Sequence, residues 1–187
     1  MIRETLNALA ACLVTFLLCA VIYPAAVWGV AHFAFPKQSA GSLIERDGKI
    51  IGSELIAQPF AGEGYFWPRP SAVDYKADAT GGSNLGTKNP ALRERIAASA
   101  TKLKATADAP VPVDLVTTSG GGLDPHVSRE GADYQVARVA AARNLTTEKV
   151  RALVEARTER GGALIGASAR VNVLLLNLDL DAAGSGR

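Results

Sequence analysis

The sequence predicts an α+β fold: a single N-terminal transmembrane helix followed by one mixed α/β domain. Three observations carry that expectation. No Asp, Glu, Lys or Arg occurs between Thr5 and Pro36, and most positions there are apolar. The pair Asp47-Gly48 lies between two short apolar runs, as in a tight hairpin. From Asn89 onward, helix-capping residues alternate with helical and strand-like apolar patterns.

A bilayer core about 30 Å thick needs roughly 20 apolar helical residues. The stretch Leu9–Val30 meets that need, so residues 1–8 read as a short flank, 9–30 as the transmembrane helix and 31–187 as the domain. Tyr23 and Trp28 fall near its far end, where amphipathic rings favour the headgroup layer. Pro24 lacks a helix donor and predicts a kink or an early end. A cleaved signal peptide fits poorly, because the apolar run continues through Trp28, Phe33 and Phe35. The Leu9-Ala10-Ala11-Cys12 run looks like a lipoprotein signal, yet too little apolar sequence precedes Cys12. A soluble core helix would be shorter and carry a polar face. Ala8, Ala11, Cys12, Thr15 and Cys19 form a small-residue stripe at helical spacing. Such stripes let membrane helices approach closely, which makes this one a docking face for partner helices, although small residues are also common in spans generally.

Beyond the span, about 150 residues suffice for one hydrophobic core. Basic and acidic residues nearly balance, 20 against 18, and no basic stripe is present, which argues against nucleic acid as a partner. Both cysteines lie in the span, leaving the domain without a disulfide or thiolate metal site. With His126 its only histidine apart from the boundary His32, a zinc site is not expected either.

Along the domain, Ser42–Arg46 and Lys49–Ile56 form the expected hairpin. Residues 58–90 are rich in Gly, Pro, Ser and Asn but include Tyr65-Phe66-Trp67-Pro68-Arg69-Pro70, a long irregular segment too aromatic for a disordered linker. Asn89-Pro90 caps a helix to about Thr106. Val113–Val116 reads as a short buried strand. Ser128 opens a helix that ends near Arg143, with Asn144 in the left-handed closing position. Thr146 or Thr147 opens another, with Val150, Leu153 and Val154 inward and Gly161-Gly162 beyond its end. Arg170–Leu180 alternates like a final strand.

Two glycine-rich turns, Gly81-Gly82-Ser83-Asn84 and Ser119-Gly120-Gly121-Gly122, have the amide-rich character of phosphate cradles. Neither is followed by the Lys-Ser/Thr of a P-loop or opens a G-x-G-x-x-G site, so turn formation is the better reading. Ser119, Asp124 and His126 hold the residue types of a hydrolase, but a triad needs convergence that one Gly-Pro turn rarely gives. Ser119 and Asp124 are expected to bond turn amides, and His126 to pack beside the following helix. Arg69, between two prolines, is an anchor for a partner carboxylate or for a buried turn carbonyl. No catalytic residue and no metal ligand set is assigned. A cation-binding protein using Asp124 and Asp133 is a further alternative, with hard oxygens suited to alkali ions.

Together these motifs resemble the C subunit of the Kdp-type potassium-transporting P-type ATPase. The resemblance rests on Gly52–Phe60 (GSELIAQPF), Tyr65–Ala72 (YFWPRPSA), Gly81–Pro90 (GGSNLGTKNP) and Val111–His126 (VPVDLVTTSGGGLDPH). It continues through Tyr134-Gln135, Arg138-Val139-Ala140, Arg143-Asn144 and the C-terminal segment, and includes the single span. It implies a non-catalytic accessory subunit of an ATP-driven, high-affinity potassium-uptake pump, with an extracytoplasmic domain, a cytoplasmic N-terminus and a place in the bacterial plasma membrane. The implied partners are a channel-like potassium-binding subunit, a P-type ATPase subunit, a small membrane peptide and the lipid bilayer. The family is described as a catalytic chaperone raising the pump subunit's ATP affinity. The implied nucleotide contact maps to Thr80, Gly81, Gly82, Ser83 and Asn84, with Thr80 where the family has Ser. No cofactor is expected to bind tightly; ATP would be met only in a transient complex with the pump subunit. Because an external domain meets little ATP and no P-loop is present, assembly and gating of ion entry are expected ahead of direct nucleotide binding.

Overall fold

The computed structural model describes residues 1–161, 166 and 168–184. Its N-terminal unit, residues 1–43, is dominated by α1 (Ile2–Phe16), a π-helical segment (Leu17–Ile22) and α2 (Tyr23–Ala34). These run on as one helix of 33 residues, apolar enough to cross a membrane. At 1.5 Å per residue it is about 50 Å long, more than the hydrocarbon core requires. None of its residues is buried. The helix does not end at Pro24. The π-helical segment ends at Ile22, two residues before it, and its wider turn gives room where a proline ring would meet the carbonyl of the preceding turn. Trp28 stacks on His32, with ring centroids 5.1 Å apart. A single turn, α3 (Pro36–Ser39), follows.

The second unit, residues 44–187, carries the mixed α/β domain. The hairpin forms as expected, from β1 (Leu43–Arg46) and β2 (Lys49–Ser53). Asp47 and Gly48 both have positive φ, 52° and 71°, the geometry that a two-residue turn demands. A second sheet has the order β3 (His126–Ser128), β5 (Arg170–Asn172), β4 (Thr158–Glu159), with β5 antiparallel to both neighbours. Val171 pairs with Val127 on one side and Thr158 on the other. Helices α6 (Arg129–Arg143), α7 (Thr147–Ala156) and α8 (Val173–Gly184) bury Val136, Val139, Val150, Val154, Leu176 and Leu180 with Val127, Val171 and Phe66.

Local chemistry sets the helix ends. Asn89 Oδ1 accepts from Ala91 N at the start of α4 (Pro90–Lys102). Ser128 Oγ accepts from Gly131 N, and Thr146 Oγ1 from Lys149 N. Asn144 closes α6 at φ 54° in the left-handed region. Gly161 follows β4, while Gly162 lies outside the described residues.

Two expected strands are different in the structure. Val113–Val116 is one helical turn, α5, starting after Pro112. Its Asp114 takes the Ser128 N–H at 2.6 Å and the Ser128 hydroxyl at 3.0 Å, a cross-link that no apolar periodicity reveals. Arg170–Leu180 is a strand only through Asn172 and then turns into α8. Asn172 Oδ1 accepts from Leu175 N in the manner of a helix cap. The buried Val173, Leu174, Leu176, Asn177 and Leu180 follow helical spacing, with adjacent positions buried where an alternation would bury every second one. His126 lies in β3, opposite Asn172, in the strand that leads directly into α6.

The irregular aromatic segment is fixed by side chains from α6 and α8. Phe66 N donates to Asn177 Oδ1 at 2.8 Å, and Asn177 Nδ2 donates back to Phe66 O at 3.0 Å. Trp67 N donates to Gln135 Oε1 at 2.8 Å, and Gln135 Nε2 returns to Trp67 O at 3.1 Å. Both amides are 1% exposed, so they replace the backbone partners that a sheet would supply. Arg138 donates to Glu63 O and Tyr65 O, and Arg143 to Gly64 O. Replacing Asn177 by the near-isosteric Leu strands two buried backbone groups, so thermal unfolding of the full chain in detergent is expected to show a loss of about 3 kcal/mol. Unchanged stability would mean that the Phe66 backbone does not depend on this amide.

Candidate functional site

The two glycine-rich turns, distant in sequence, meet in the fold. Gly81 N donates to Gly121 O at 3.0 Å, Thr80 Oγ1 donates to the same carbonyl at 3.2 Å, and Thr118 Oγ1 reaches Ser83 Oγ at 3.4 Å. The glycines serve this close approach. A Cβ on Gly82 would stand 2.8 Å from Gly120 O; one on Gly122 would stand 2.6 Å from Val73 Cγ2 and 2.8 Å from Gly81 O. Gly122 also has φ +72°. Asn84 adopts φ 51°, a conformation that its short amide tolerates.

Arg69 braces this clasp from within the chain. Its Nη1 lies 3.0 Å from Asp124 Oδ2, and its Nη2 donates to Thr118 O at 3.4 Å. The carboxylate is Asp124 of this chain rather than one from a partner, and it and the Thr118 carbonyl flank the second glycine turn. Arg69 O in turn accepts from Tyr75 Oη at 2.9 Å. Burial, and then the neighbouring Asp74, push the Tyr75 hydroxyl up to about 12, so it stays a donor. Ser71 Oγ accepts from the amides of Val73 and Tyr75, which shapes the chain just after Pro70.

Asp124 is the electrostatic centre. Burial works to raise its pKa, but hydrogen bonds from His126 and Arg69, with the Arg69 charge, outweigh that and hold it at about 2. The His126 amide donates to Oδ1 at 3.0 Å, and its Nδ1 stands 3.7 Å away.

Ser119 is buried, and among the described residues no hydrogen bond joins its hydroxyl to His126. Asp133, the other carboxylate considered for cations, is bound by Arg129 at 2.8 Å. No group of three or more His, Cys, Asp or Glu side chains is placed to hold a metal among the described residues. The small-residue stripe runs through Ala8, Ala11, Cys12 and Thr15 in α1 into Cys19 in the π-helical segment, where the wider turn alters its register.

The sequence comparisons converge on one assignment. The family described as "KdpC: K+-transporting ATPase, c chain" matches residues 5–182. The chain belongs to the KdpC family. A potassium-transporting ATPase KdpC subunit of Rhodopseudomonas palustris is 48% identical over 199 residues, covering 98% of each chain. Those of Polaromonas naphthalenivorans and Methylococcus capsulatus are 54% and 51% identical, covering 89% and 97% of this chain and 88% and 99% of their own. The KdpC match takes in the apolar helix and both glycine turns. Sequence reasoning passed over the roles of Gln135 and Asn177 in this KdpC chain. Their signal was an amide set within an otherwise apolar helical face.

Two expectations follow from the clasp. Gly122→Ala should destabilise the full chain by at least about 2 kcal/mol through strain and overlap, whereas Gly120→Ala, whose Cβ would meet nothing within 4 Å, should stay within about 0.5 kcal/mol. Thermal unfolding in detergent compares them, and equal losses would contradict the close-approach argument. The Asp124 carboxyl is depressed in the fold, from the usual 3.8 to about 2. Its contribution is therefore complete above about pH 4 and lost as pH falls toward 2. Relative to Asp124→Asn, the native chain should be more stable by about 1–2 kcal/mol at pH 6, screened by solvent at a partly exposed site. That difference should vanish near pH 2 in a pH series of unfolding curves.

Proposed function

We propose that this chain is the accessory subunit of an ATP-driven, high-affinity potassium-uptake pump of the bacterial plasma membrane. The observation that carries the reading is the family match over residues 5–182, which includes the membrane-type helix as well as the domain. The helix crosses once, with the N-terminus cytoplasmic and the domain outside. The subunit assembles and stabilises a complex of a channel-like potassium-binding subunit, a P-type ATPase subunit and a small membrane peptide. It has no catalytic step of its own.

In this reading the subunit also acts as a catalytic chaperone that raises the ATP affinity of the hydrolysing subunit. The effect travels as a coupling free energy through helix contacts in the membrane, and any meeting with ATP is transient and within the complex. Two features favour this route over direct phosphate binding at Thr80–Asn84. The Gly81 amide and the Thr80 hydroxyl are already given to Gly121 O. The helix, by contrast, has no buried residue and is free to pack against partners.

The test co-expresses a tagged chain with the partner subunits named above and purifies it in mild detergent. Replacing the stripe residues Ala11, Cys12 and Thr15 by Leu should loosen the complex or raise the pump's KM for ATP about fivefold or more, the low end of ordinary coupling energies. Recovery of the native chain without a P-type ATPase would overturn the assignment. Cross-linking of radiolabelled ATP to Gly81–Asn84 would overturn the membrane route alone.

A further inference from the structure

Beside the aromatic segment's anchors Gln135 and Arg138, a cleft of about 540 Å³ opens between the C-terminal end of α4 and α6. None of the glycine-turn residues lines it. Its charged lining is one-sided: Lys102, Lys104 and Arg138 face a single carboxylate, Glu63. We propose that this cleft binds a small anionic ligand carrying a phosphate group, held by the ammonium groups of Lys102 and Lys104.

Arg138 is committed to the fold. It donates to Glu63 O, Tyr65 O and Gln135 Oε1, lies 3.8 Å from the Trp67 ring centroid, and meets the Glu63 carboxylate only at 3.9 Å. It supplies field rather than free donors. The two lysines differ. Among the described residues neither ammonium has a carboxylate within 4.0 Å or a hydrogen-bond acceptor, and Lys102 rests 4.4 Å above the Trp67 ring. Lone exposed lysines attract anions weakly. Two lysines and an arginine converging on one concave site add their fields, and a cleft of this volume is of ligand size.

The end of α4 supports the same assignment. Lys104 stands at φ 57°, an uncommon conformation for a residue with a long side chain, and its N–H closes the helix on Thr101 O. A helix C-terminus ordinarily repels anions through its free carbonyls. Here the Tyr134 hydroxyl donates to Leu103 O at 3.1 Å and blunts that repulsion. Leu103, Ala141 and Ala142 add an apolar surface for a ligand's carbon body.

Trp67 provides the readout. The chain has two tryptophans, so Trp28→Phe leaves Trp67 alone. In the full chain in a nonionic detergent at constant ionic strength, inorganic pyrophosphate should produce a saturable change in Trp67 emission as Lys102 is drawn from the ring to the anion. Lys104→Asn removes the charge while suiting the left-handed backbone. It should raise the half-saturating concentration about fivefold or more, as expected for loss of one charge-assisted contact. Lys49→Asn, on the β-hairpin, should titrate like the parent. Parallel titrations with glycerol phosphate and with short-chain phosphatidate separate a free phosphoryl compound from a lipid headgroup; saturation by any of the three supports the site and the tightest assigns its source. Responses to all three no greater than to sodium chloride, or a Lys104→Asn titration equal to the parent's, would overturn the proposal.

Discussion

The domain depends on one constraint: the backbone of a buried, irregular aromatic segment must find hydrogen-bond partners without a sheet. Phe66 is fully buried and Trp67 nearly so, so their amides and carbonyls are closed to water. Asn177 and Gln135 meet this need with two-bond side-chain rings, one from α8 and one from α6. Because an unpaired buried group costs about 1–3 kcal/mol, the segment and the two helices cannot form independently. The arginines extend the same logic outward: Arg138 and Arg143 stack on Trp67 and Tyr65 while binding carbonyls of residues 63–65.

That fixed segment continues through Pro68 into Arg69, which explains how one cation can anchor the second glycine turn. Arg69 leaves a rigid, proline-flanked stretch and reaches Asp124 and Thr118 O on the second turn. The first turn is then held against the second by direct backbone contact at Gly81 and Gly121. Glycine is demanded there by backbone proximity, with Gly82 against Gly120 O and Gly122 against Gly81 O. Sequences that resemble phosphate cradles arise for this second reason too, because tight backbone approach and exposed amides both exclude a side chain.

What the sequence disclosed was local. The Asp47-Gly48 turn, the Asn89, Ser128 and Thr146 caps and the Asn144 closing residue each depend on a few neighbouring atoms and formed as read. The long apolar helix was legible because a membrane imposes a length and a composition. Failures came where distant partners decide. Val113–Val116 is helical with Asp114 bonded to Ser128, and Arg170–Leu180 breaks after Asn172, whose Nδ2 donates to the distant Glu54 O. The roles of Gln135 and Asn177 were hidden for the same reason: an isolated amide on an apolar face does not name its backbone partner. The Arg69 brace was half legible, since an anchoring role was foreseen but a carboxylate from within the chain, Asp124, was not.

Under the proposed function, a subunit that alters ATP affinity elsewhere must touch the pump differently in two of its states, since a ligand or partner shifts an equilibrium only by its differential interaction. Surfaces already spent on the subunit's own fold make poor sources of that difference. The glycine clasp is such a surface: its Gly81 amide, Thr80 hydroxyl and Arg69 guanidinium are all engaged internally. The N-terminal helix is the opposite case, with no buried residue and a length of about 50 Å that exceeds the bilayer core. Within it the π-helical turn before Pro24 breaks the regular hydrogen-bond ladder, and such turns adjust register more readily than regular α-helix. A helix that packs against moving neighbours gains from that adjustability, whereas the clasped domain gains from having none.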